Sequence, residues 1–286
     1  MSAAIIKTEA SQKRRNFISK FLIYFFLIVI TACMLLPFLW MLSSSFKLNK
    51  DVFGFPIQWI PKNPRWQNYV DIWTQIPLLT FVKNTVKITV VVTLLQLFTS
   101  SFAAYAFAKM QFKGKNALFL GYIATIAVPW QAYMVPQFMM MSSWHLNNTH
   151  LAIMCLQAFS AFGVFLMKQF SEGIPTEMLE AARIDGASEA KTFISIVLPM
   201  VKPGVGALAI FTFINSWNDY FMQLIMLSST SNLTISLGIA KLQAENSTDF
   251  GLIMAGAALA AVPIIIIFLI FQKYFTKGIA MGAVKG

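Results

Sequence analysis

Six long apolar stretches are the feature of this sequence that most limits what the chain can fold into. They cover residues 21–42, 88–108, 117–141, 151–167, 204–227 and 251–271. An α-helix needs about 20 residues, at about 1.5 Å rise each, to cross the hydrocarbon core of a bilayer. In lipid, backbone N–H and C=O groups must be hydrogen-bonded within the protein, so membrane spans are either helices or strands of a closed barrel. These stretches lack the polar–apolar alternation of barrel strands and are therefore expected to be helices. The sequence therefore predicts an all-α, polytopic membrane protein with six transmembrane helices.

The composition excludes an ordinary soluble enzyme. Only 12% of the 286 residues are charged and the mean hydropathy is +0.67, whereas soluble domains carry about 25% charged residues. The net charge of +11 does not indicate nucleic-acid binding, because a basic patch needs a soluble face. The excess of basic residues instead lies at the ends of the apolar stretches.

The first apolar stretch is interpreted as an uncleaved anchor that follows a cytoplasmic segment, residues 1–20. Basic residues precede it and Cys33 ends a lipobox-like sequence, as in a signal peptide. The apolar run nevertheless continues to Leu42, which makes it longer than the apolar region of a cleavable signal peptide. Cys33 and Cys155 have neither metal-binding nor redox spacing. We expect both to be small residues that face lipid or the protein core.

The distribution of lysine and arginine predicts that both termini are cytoplasmic. With the N-terminus inside, 15 of the 22 basic residues fall in inner segments, as the positive-inside rule requires. The seven outer basic residues are Lys47, Lys50, Lys62, Arg65, Lys83, Lys87 and Lys241.

The inner loop of residues 168–202 is longer than a connection requires, and its pattern predicts two short helices. Pro175 is suited to the start of the first helix, which Glu177 favours through the helix dipole. Gly186 follows as a C-terminal stop. Ser188 can cap a second helix, which we expect to end before Pro199.

The sequence Glu180-Ala181-Ala182, followed by Gly186 and then Ile196-Val197-Leu198-Pro199, resembles the EAA loop of permease subunits in binding-protein-dependent ABC importers. The resemblance implies a type I ABC importer permease fold in the bacterial cytoplasmic membrane and a loop that docks on a cytoplasmic ATPase subunit. The implied coupling residues are Glu180, Ala181, Ala182, Asp185, Gly186, Leu198 and Pro199. The alternative, an amphipathic helix on the inner leaflet, is disfavoured by the acidic residues of this loop.

Two further motifs resemble the sugar-transporting branch of that family, and the six-span permeases of maltose-type systems within it. Trp217-Asn218-Asp219 lies in the fifth stretch, and the tail reads Gln272-Lys273-Tyr274-Phe275 and then Gly282-Ala283-Val284-Lys285-Gly286. The resemblance implies a second permease, two ATPase subunits and an extracytoplasmic sugar-binding protein as partners. Gln223 departs from the family pattern, in which proline often follows the Trp-Asn-Asp motif with a local helix kink.

A polar run in the fifth stretch is a candidate for the translocation path. Its members are Asn215, Trp217, Asn218, Asp219 and Tyr220. Amide and carboxylate groups can bind sugar hydroxyls, and aromatic faces can stack on sugar rings. Because an acidic residue inside a span is costly, Asp219 is expected to have a partner or to face water. Packing between helices and a proton relay remain alternatives.

The sequence contains no phosphate-binding Gly-x-x-x-x-Gly-Lys-[Ser/Thr] motif. We therefore expect the chain to bind no cofactor, with ATP and Mg²⁺ on partner ATPase subunits, and to be no enzyme itself. An ion-coupled secondary transporter is the main alternative. An intramembrane enzyme is disfavoured because His145 and His150 have no nucleophile or carboxylate partner, which leaves them as solvated loop residues.

Three other segments carry weaker expectations. The resemblance implies that the outer loop 228–250 contacts the binding protein, although a plain connector is equally compatible. Pro129 and Pro136 in the third stretch predict helix kinks, with a gating hinge as an alternative. The proline- and tryptophan-rich outer loop 43–84 suggests short segments along the membrane surface.

Overall fold

The computed structural model describes the backbone of residues 2–245 and 249–283 and the side chains of residues 17–244 and 249–273, and within these ranges it contains helices and no strand. The predicted all-α class is confirmed. The α-helices are α1 (Ser2–Ser45), α2 (Asn49–Val52), α3 (Gln67–Gln75), α4 (Leu78–Lys109), α5 (Lys115–Ala124), α6 (Met134–Ser143), α7 (His150–Leu156), α8 (Ala161–Glu172), α9 (Thr176–Ile184), α10 (Glu189–Thr192), α11 (Leu198–Met200), α12 (Lys202–Asn218), α13 (Phe221–Met226), α14 (Ile235–Glu245) and α15 (Phe250–Ala283). Short 3₁₀ turns cover Thr125–Ala127, Trp130–Ala132 and Thr230–Asn232, and a π-helix covers Phe193–Val197.

Three continuous helical segments are long and apolar enough to cross a membrane: Phe17–Ser45, Leu78–Lys109 and Phe250–Lys273. They correspond to the first, second and sixth predicted spans. The second begins ten residues before the predicted position 88, because polar residues at its outer end lie on the helix without interrupting it. Two bent pairs, α7 with α8 and α10–α11 with α12, raise the number of candidate spans in the described residues to as many as five if each pair is counted as one span.

The third predicted span, residues 117–141, is not a continuous helix. Helix α5 ends at Ala124, and α6 begins only at Met134. Between them Val128 and Pro129 are extended, because proline disfavours helical backbone in the residue before it and lacks an N–H. Pro129 therefore breaks this segment rather than bending it, whereas Pro136 lies in the first turn of α6.

The fourth and fifth predicted spans are also interrupted. In residues 151–167, α7 ends at Leu156 and α8 starts after Ser160, with a bend of 46° between the two helices. The Ser160 hydroxyl caps α8 by accepting from the Gly163 N–H at 3.0 Å. In residues 204–227, α12 ends at Asn218 and α13 begins at Phe221, with two residues between them. Hydrophobicity alone missed both breaks because the intervening residues are few.

The described residues divide into two compact units. One unit comprises residues 2–72 and 249–258, and the other comprises residues 73–245 and 259–283. In the first, Asn68 donates to the carbonyl oxygens of Ser45 and Lys47 at 2.9 and 3.0 Å. The side chains of α1 from Phe17 to Phe38 are exposed apolar or small groups over most of their length, as expected of a surface that faces lipid or another subunit.

The core of the second unit forms where α4 packs against α8 and α12. Gly163 of α8 lies so close to α4 that an added Cβ would clash with Ser100, a close approach typical of membrane helix pairs. The buried core residues are Ala104, Tyr105, Met167, Ile174, Leu179, Phe193, Val197, Val201 and Leu208. This cluster joins α4 to the 168–202 segment.

Two predicted features extend beyond the described residues. In the outer loop 228–250, residues 246–248 lie outside them, as do residues 284–286 of the tail motif. The side chains from Tyr274 onward are likewise outside the described set. Helix α15 carries the backbone of the tail to Ala283.

Candidate functional site

The 168–202 segment forms two helices joined at Gly186. Helix α9 ends in a Schellman motif: the Gly186 N–H donates to the Arg183 carbonyl at 3.0 Å and the Ala187 N–H to the Ala182 carbonyl at 2.9 Å. Gly186 has φ +77° and open space around its Cα. Glycine is favoured here because left-handed backbone strains a residue with a Cβ. Ser188 then caps α10, its hydroxyl accepting from the Lys191 N–H at 3.3 Å, as predicted.

We expected the second helix to end before Pro199, and this expectation was wrong. The π-helix Phe193–Val197 follows α10, and helical backbone continues through Pro199 to Met200. The wider π turn lets the Leu198 N–H reach the Phe193 carbonyl, so the ring of Pro199 is accommodated without ending the helix. The sharp change of direction, 79°, comes instead at Val201, before α12.

The exposed face of α9 differs from the face expected from the motif. Glu180, Ala181 and Asp185 are exposed, but Ala182 is only 8% exposed and packs inward with Leu179. Ile184, which the motif did not single out, is 87% exposed. A helix presents residues three and four apart on one face, so Glu180, Ala181 and Ile184 form the outward surface. Leu198 is half-buried against the core, whereas Pro199 is exposed.

A hydrogen-bonded network anchors this segment to the end of α4. The Tyr105 hydroxyl donates to Glu189 Oε2 at 2.5 Å, and Arg183 Nε donates to Glu189 Oε1 at 2.9 Å. The Tyr105 hydrogen bond and the Arg183 guanidinium hold the pKa of Glu189 below its ordinary value. Lys109 Nζ also donates to the Ile174 carbonyl at 2.6 Å. Sequence reasoning missed Tyr105 because it lies 84 residues from Glu189 along the chain.

The polar run of the fifth stretch meets a cavity of about 650 Å³ in the second unit. The cavity is lined by Val92, Gln96, Trp130, Leu156, Gln157, Phe159, Ser160, Phe211, Thr212, Ile214, Asn215, Ser216, Asn218, Asp219, Tyr220, Phe221 and Met222. Three of the helix breaks described above supply part of this lining. Non-helical backbone at membrane depth is typical of segments that line a cavity or a binding site.

Four of the five predicted path residues line this cavity, and Trp217 does not. Trp217 is 1% exposed, donates its indole N–H to the Ala260 carbonyl at 3.1 Å and stacks on Phe213. These contacts show a packing position. Asp219 has the partner that we expected: Gln157 Nε2 donates to its Oδ2 at 2.6 Å, and its Oδ1 accepts from the Met222 N–H at 3.3 Å.

The departure at Gln223 does not remove the helix interruption. The resemblance implied a proline-linked kink near this position, and without that proline the helix still breaks at Asp219 and Tyr220, where Asp219 Oδ1 accepts from the Met222 N–H in the first turn of α13. Gln223 is fully buried, donates to the Ser216 carbonyl at 3.3 Å and accepts from the Thr234 hydroxyl. The amide thus fixes the two sides of the break to each other.

The predicted outer loop begins as a firmly held turn. Asn148, in left-handed backbone at φ 55°, accepts from the N–H groups of Ser228 and Ser229 at 3.0 Å. Asn84 donates to the carbonyl oxygens of Ser231 and Leu233 at 2.9 and 2.8 Å.

The two histidines differ in their surroundings. His145 is exposed, as expected of a solvated loop residue. His150 is half-buried at the start of α7, with Nε2 2.9 Å from the Asn232 carbonyl oxygen. The expectation of a solvated residue was therefore wrong for His150. Its partner, 82 residues away in the chain, gave no signal in the sequence.

Comparison with known proteins agrees with this architecture. Residues 10–281 match the family model described as "Binding-protein-dependent transport system inner membrane component". The arabinooligosaccharides transport system permease protein AraQ of Halalkalibacterium halodurans is 34% identical over 87% of this chain and 91% of its own length. The melibiose/raffinose/stachyose import permease protein MelC of Bacillus subtilis is 34% identical over 91% of this chain and 95% of its own. The lactose transport system permease protein LacG of Rhizobium radiobacter is 33% identical over 87% and 90%.

A solved structure shares the fold. A chain of a bacterial ABC transporter involved in the import of the acidic polysaccharide alginate superposes with a TM-score of 0.80 at 23% identity, covering 92% of this chain and 98% of that one. The family match extends over nearly the whole chain, and three relatives exceed 30% identity over most of their length. This chain therefore belongs to the family of binding-protein-dependent transport system inner membrane components, multi-pass membrane proteins that are transport subunits rather than enzymes.

Proposed function

We propose that this chain is the permease subunit of an ATP-driven importer of a sugar or oligosaccharide, coupled to its ATPase subunits through residues 168–202. The helix–glycine–helix unit formed by α9 and α10 carries this proposal. Its outer face exposes Glu180, Ala181 and Ile184, and its inner face is fixed to α4 through Glu189. An exposed and rigidly anchored surface that combines apolar side chains with one carboxylate is suited to transmitting the movement of a docked protein.

The proposed assembly contains a second permease, two cytoplasmic ATPase subunits and an extracytoplasmic sugar-binding protein. The sequence has no nucleotide-binding motif, which supports placing ATP and Mg²⁺ on the partners. A solved alginate ABC transporter in complex with a pentasaccharide-bound periplasmic protein has a chain that superposes on this one with a TM-score of 0.62. The periplasmic protein in that complex supports a binding-protein partner for this chain.

The proposed topology has six spans in the bacterial cytoplasmic membrane, with both termini in the cytoplasm. The third span is then the interrupted segment from α5 to α6. The excess of lysine and arginine in the segments assigned to the inside supports this orientation. It places 168–202 on the ATPase side and Asn148 with residues 228–234 on the side of the binding protein.

The substrate path is assigned to the cavity. Asn215, Asn218, Asp219 and Tyr220 contribute polar groups, and Trp130, Phe159 and Phe211 contribute apolar faces. Hydroxyl groups and C–H surfaces of a sugar match this combination. The sugars in the names of the AraQ, LacG and MelC relatives support the substrate class.

Uptake by reconstituted vesicles tests the function. The complete assembly, with the binding protein outside and ATP inside, is expected to accumulate labelled sugar. Vesicles with this chain alone and an imposed proton or sodium gradient are expected to accumulate none. Gradient-driven uptake by the isolated chain would instead establish the ion-coupled carrier.

A further inference from the structure

The amide side chains of α12 that line the cavity are turned so that their oxygens remain available. Asn215 Nδ2 donates to the Phe211 carbonyl at 2.8 Å, and Asn218 Nδ2 donates to the Ile214 carbonyl at 3.0 Å. A carbonyl oxygen only accepts hydrogen bonds, so each of these contacts fixes which end of the amide is the nitrogen. The Oδ1 atoms of the two side chains are left as acceptors.

The other nitrogen-bearing side chains of the lining each donate one hydrogen bond within the protein. Gln96 Nε2 donates to the Gln157 carbonyl at 2.8 Å, and Gln157 Nε2 donates to Asp219. The Trp130 indole N–H donates to Gln137 Oε1 at 2.8 Å. Gln157 Oε1, by contrast, has no hydrogen-bond partner among the described residues. Each of these amide nitrogens thus donates one hydrogen bond within the protein, whereas the side-chain oxygens of Asn215, Asn218 and Gln157 accept none among the described residues.

The charge of the lining is negative, so it too favours ligand groups that donate hydrogen bonds. Asp219 is the one charged residue among the described residues that line the cavity, which include no lysine, arginine or histidine. Both of its carboxylate oxygens accept hydrogen bonds from the protein. A bound carboxylate or phosphate would meet this negative charge and the free amide oxygens with no cation to compensate.

We propose that this cavity selects neutral sugars, which donate their hydroxyl protons to its oxygen acceptors, and that Asp219 excludes acidic sugars such as uronates. The inference rests on the proposed import function and adds a substrate class to it. Apolar side chains of Trp130 and Phe159 provide surfaces for the C–H faces of the ring. The chain would therefore differ in selectivity from the alginate transporter chain, whose fold it shares.

Direct binding to the purified assembly, without the binding protein, tests this selectivity at the cavity. The probes are lactose, raffinose and arabinotriose, with digalacturonate and trigalacturonate as acidic counterparts, measured by equilibrium dialysis at millimolar concentrations. We expect the wild type to bind at least one neutral probe at least about tenfold more tightly than either uronate. The selectivity ratio, which is the Kd of the uronate divided by the Kd of the neutral sugar, should fall severalfold in Asn218→Lys and rise in Asn218→Glu.

Matched controls separate a local effect from a change in total charge. Asn63→Lys and Asn63→Glu change an exposed asparagine outside the cavity and should leave the ratio unchanged. Asp219→Asn removes the carboxylate with little change of shape, and it should also reduce the ratio if the Asn218 variants fail to assemble.

Equal binding of uronates and neutral sugars by the wild type would overturn the inference, as would absence of binding by every neutral probe. A ratio that Asn218→Lys and Asn218→Glu shift in the same direction would also overturn it. The proposed function is read separately, from ATP-dependent uptake with the binding protein present. If ATP-dependent uptake persists but the cavity shows no selectivity, the inference about neutral sugars is wrong and the proposed import function stands.

Discussion

At the scale of single residues, the structure assigns different tasks to neighbours that the motifs group together. Ala182 points into the core while Ala181 points out, and Trp217 packs between helices while Asn218 and Asp219 face the cavity. The motifs identify the right segments of the chain. They do not give the direction of each side chain, because helix orientation depends on the packing of α4, α8 and α12.

Tyr105 is expected to fix the 168–202 segment to α4. Tyr105→Phe removes the donor to Glu189, a hydrogen bond to a partly exposed charged group that contributes about 1 kcal/mol. We expect a small decrease in the thermal stability of the purified assembly and more ATP hydrolysed per sugar imported. Tyr24→Phe, at an exposed position of α1, is the matched control. An unchanged ratio of ATP to sugar in Tyr105→Phe would exclude a coupling role.

The lowered pKa of Glu189 predicts a pH dependence with a definite sign. The folded state favours the ionised form, so this stabilisation is fully present above the ordinary glutamate pKa of 4.5 and is lost as the pH falls through the lowered folded value. Unfolding midpoints of the wild type and of Glu189→Gln, compared across this range, should converge as the pH falls. A difference independent of pH would show that the ionised carboxylate contributes nothing.

At the scale of elements, the sequence predicted which segments are helical better than it predicted where they break. Pro129 predicts the break in the third stretch. The break at residues 157–160 depends on the cap that Ser160 provides. The break at Asp219 depends on the contacts of its carboxylate with Gln157 and Met222. Apolar length cannot reveal such breaks, since they are stabilised by polar groups from distant parts of the chain. The same holds for the π-helix that carries the chain past Pro199.

The left-handed turn at Gly186 is expected to be essential for coupling. Gly186→Val puts a β-branched residue at φ +77°, which costs about 1–2 kcal/mol and should disturb the angle between α9 and α10. We expect membrane insertion to be retained and ATP-driven uptake to fall at least about tenfold. Ala187→Val changes the next residue, outside the left-handed position, as a control. Normal uptake by Gly186→Val would contradict this role.

The exposed charge of Glu180 gives a second test at the same element. Glu180→Arg reverses the charge on the outer face of α9 without changing a buried contact, so folding should be unaffected. ATPase activity measured with and without sugar and binding protein should lose its dependence on them. Full stimulation in this variant would show that Glu180 does not contact the ATPase.

At the scale of the whole molecule, the sequence predicted the membrane class and the family, and its distribution of lysine and arginine predicts a topology with both termini inside. Orientation depends on the cell's insertion process and not on contacts within the chain. With Cys33 and Cys155 replaced by alanine, a membrane-impermeant thiol reagent should label Ser231→Cys from outside and Ile184→Cys only from inside. Labelling of both from one side would contradict the six-span topology.

Photo-crosslinking from the exposed tip of α9 tests the central claim most directly. A benzophenone side chain at Ile184, in an assembly that is importing sugar at the expense of ATP, should form an adduct with an ATPase subunit. The same group at the buried Ala182 should react mainly within this chain. An active assembly in which the Ile184 probe reacts only with phospholipid would contradict the claim that the permease is moved through residues 168–202.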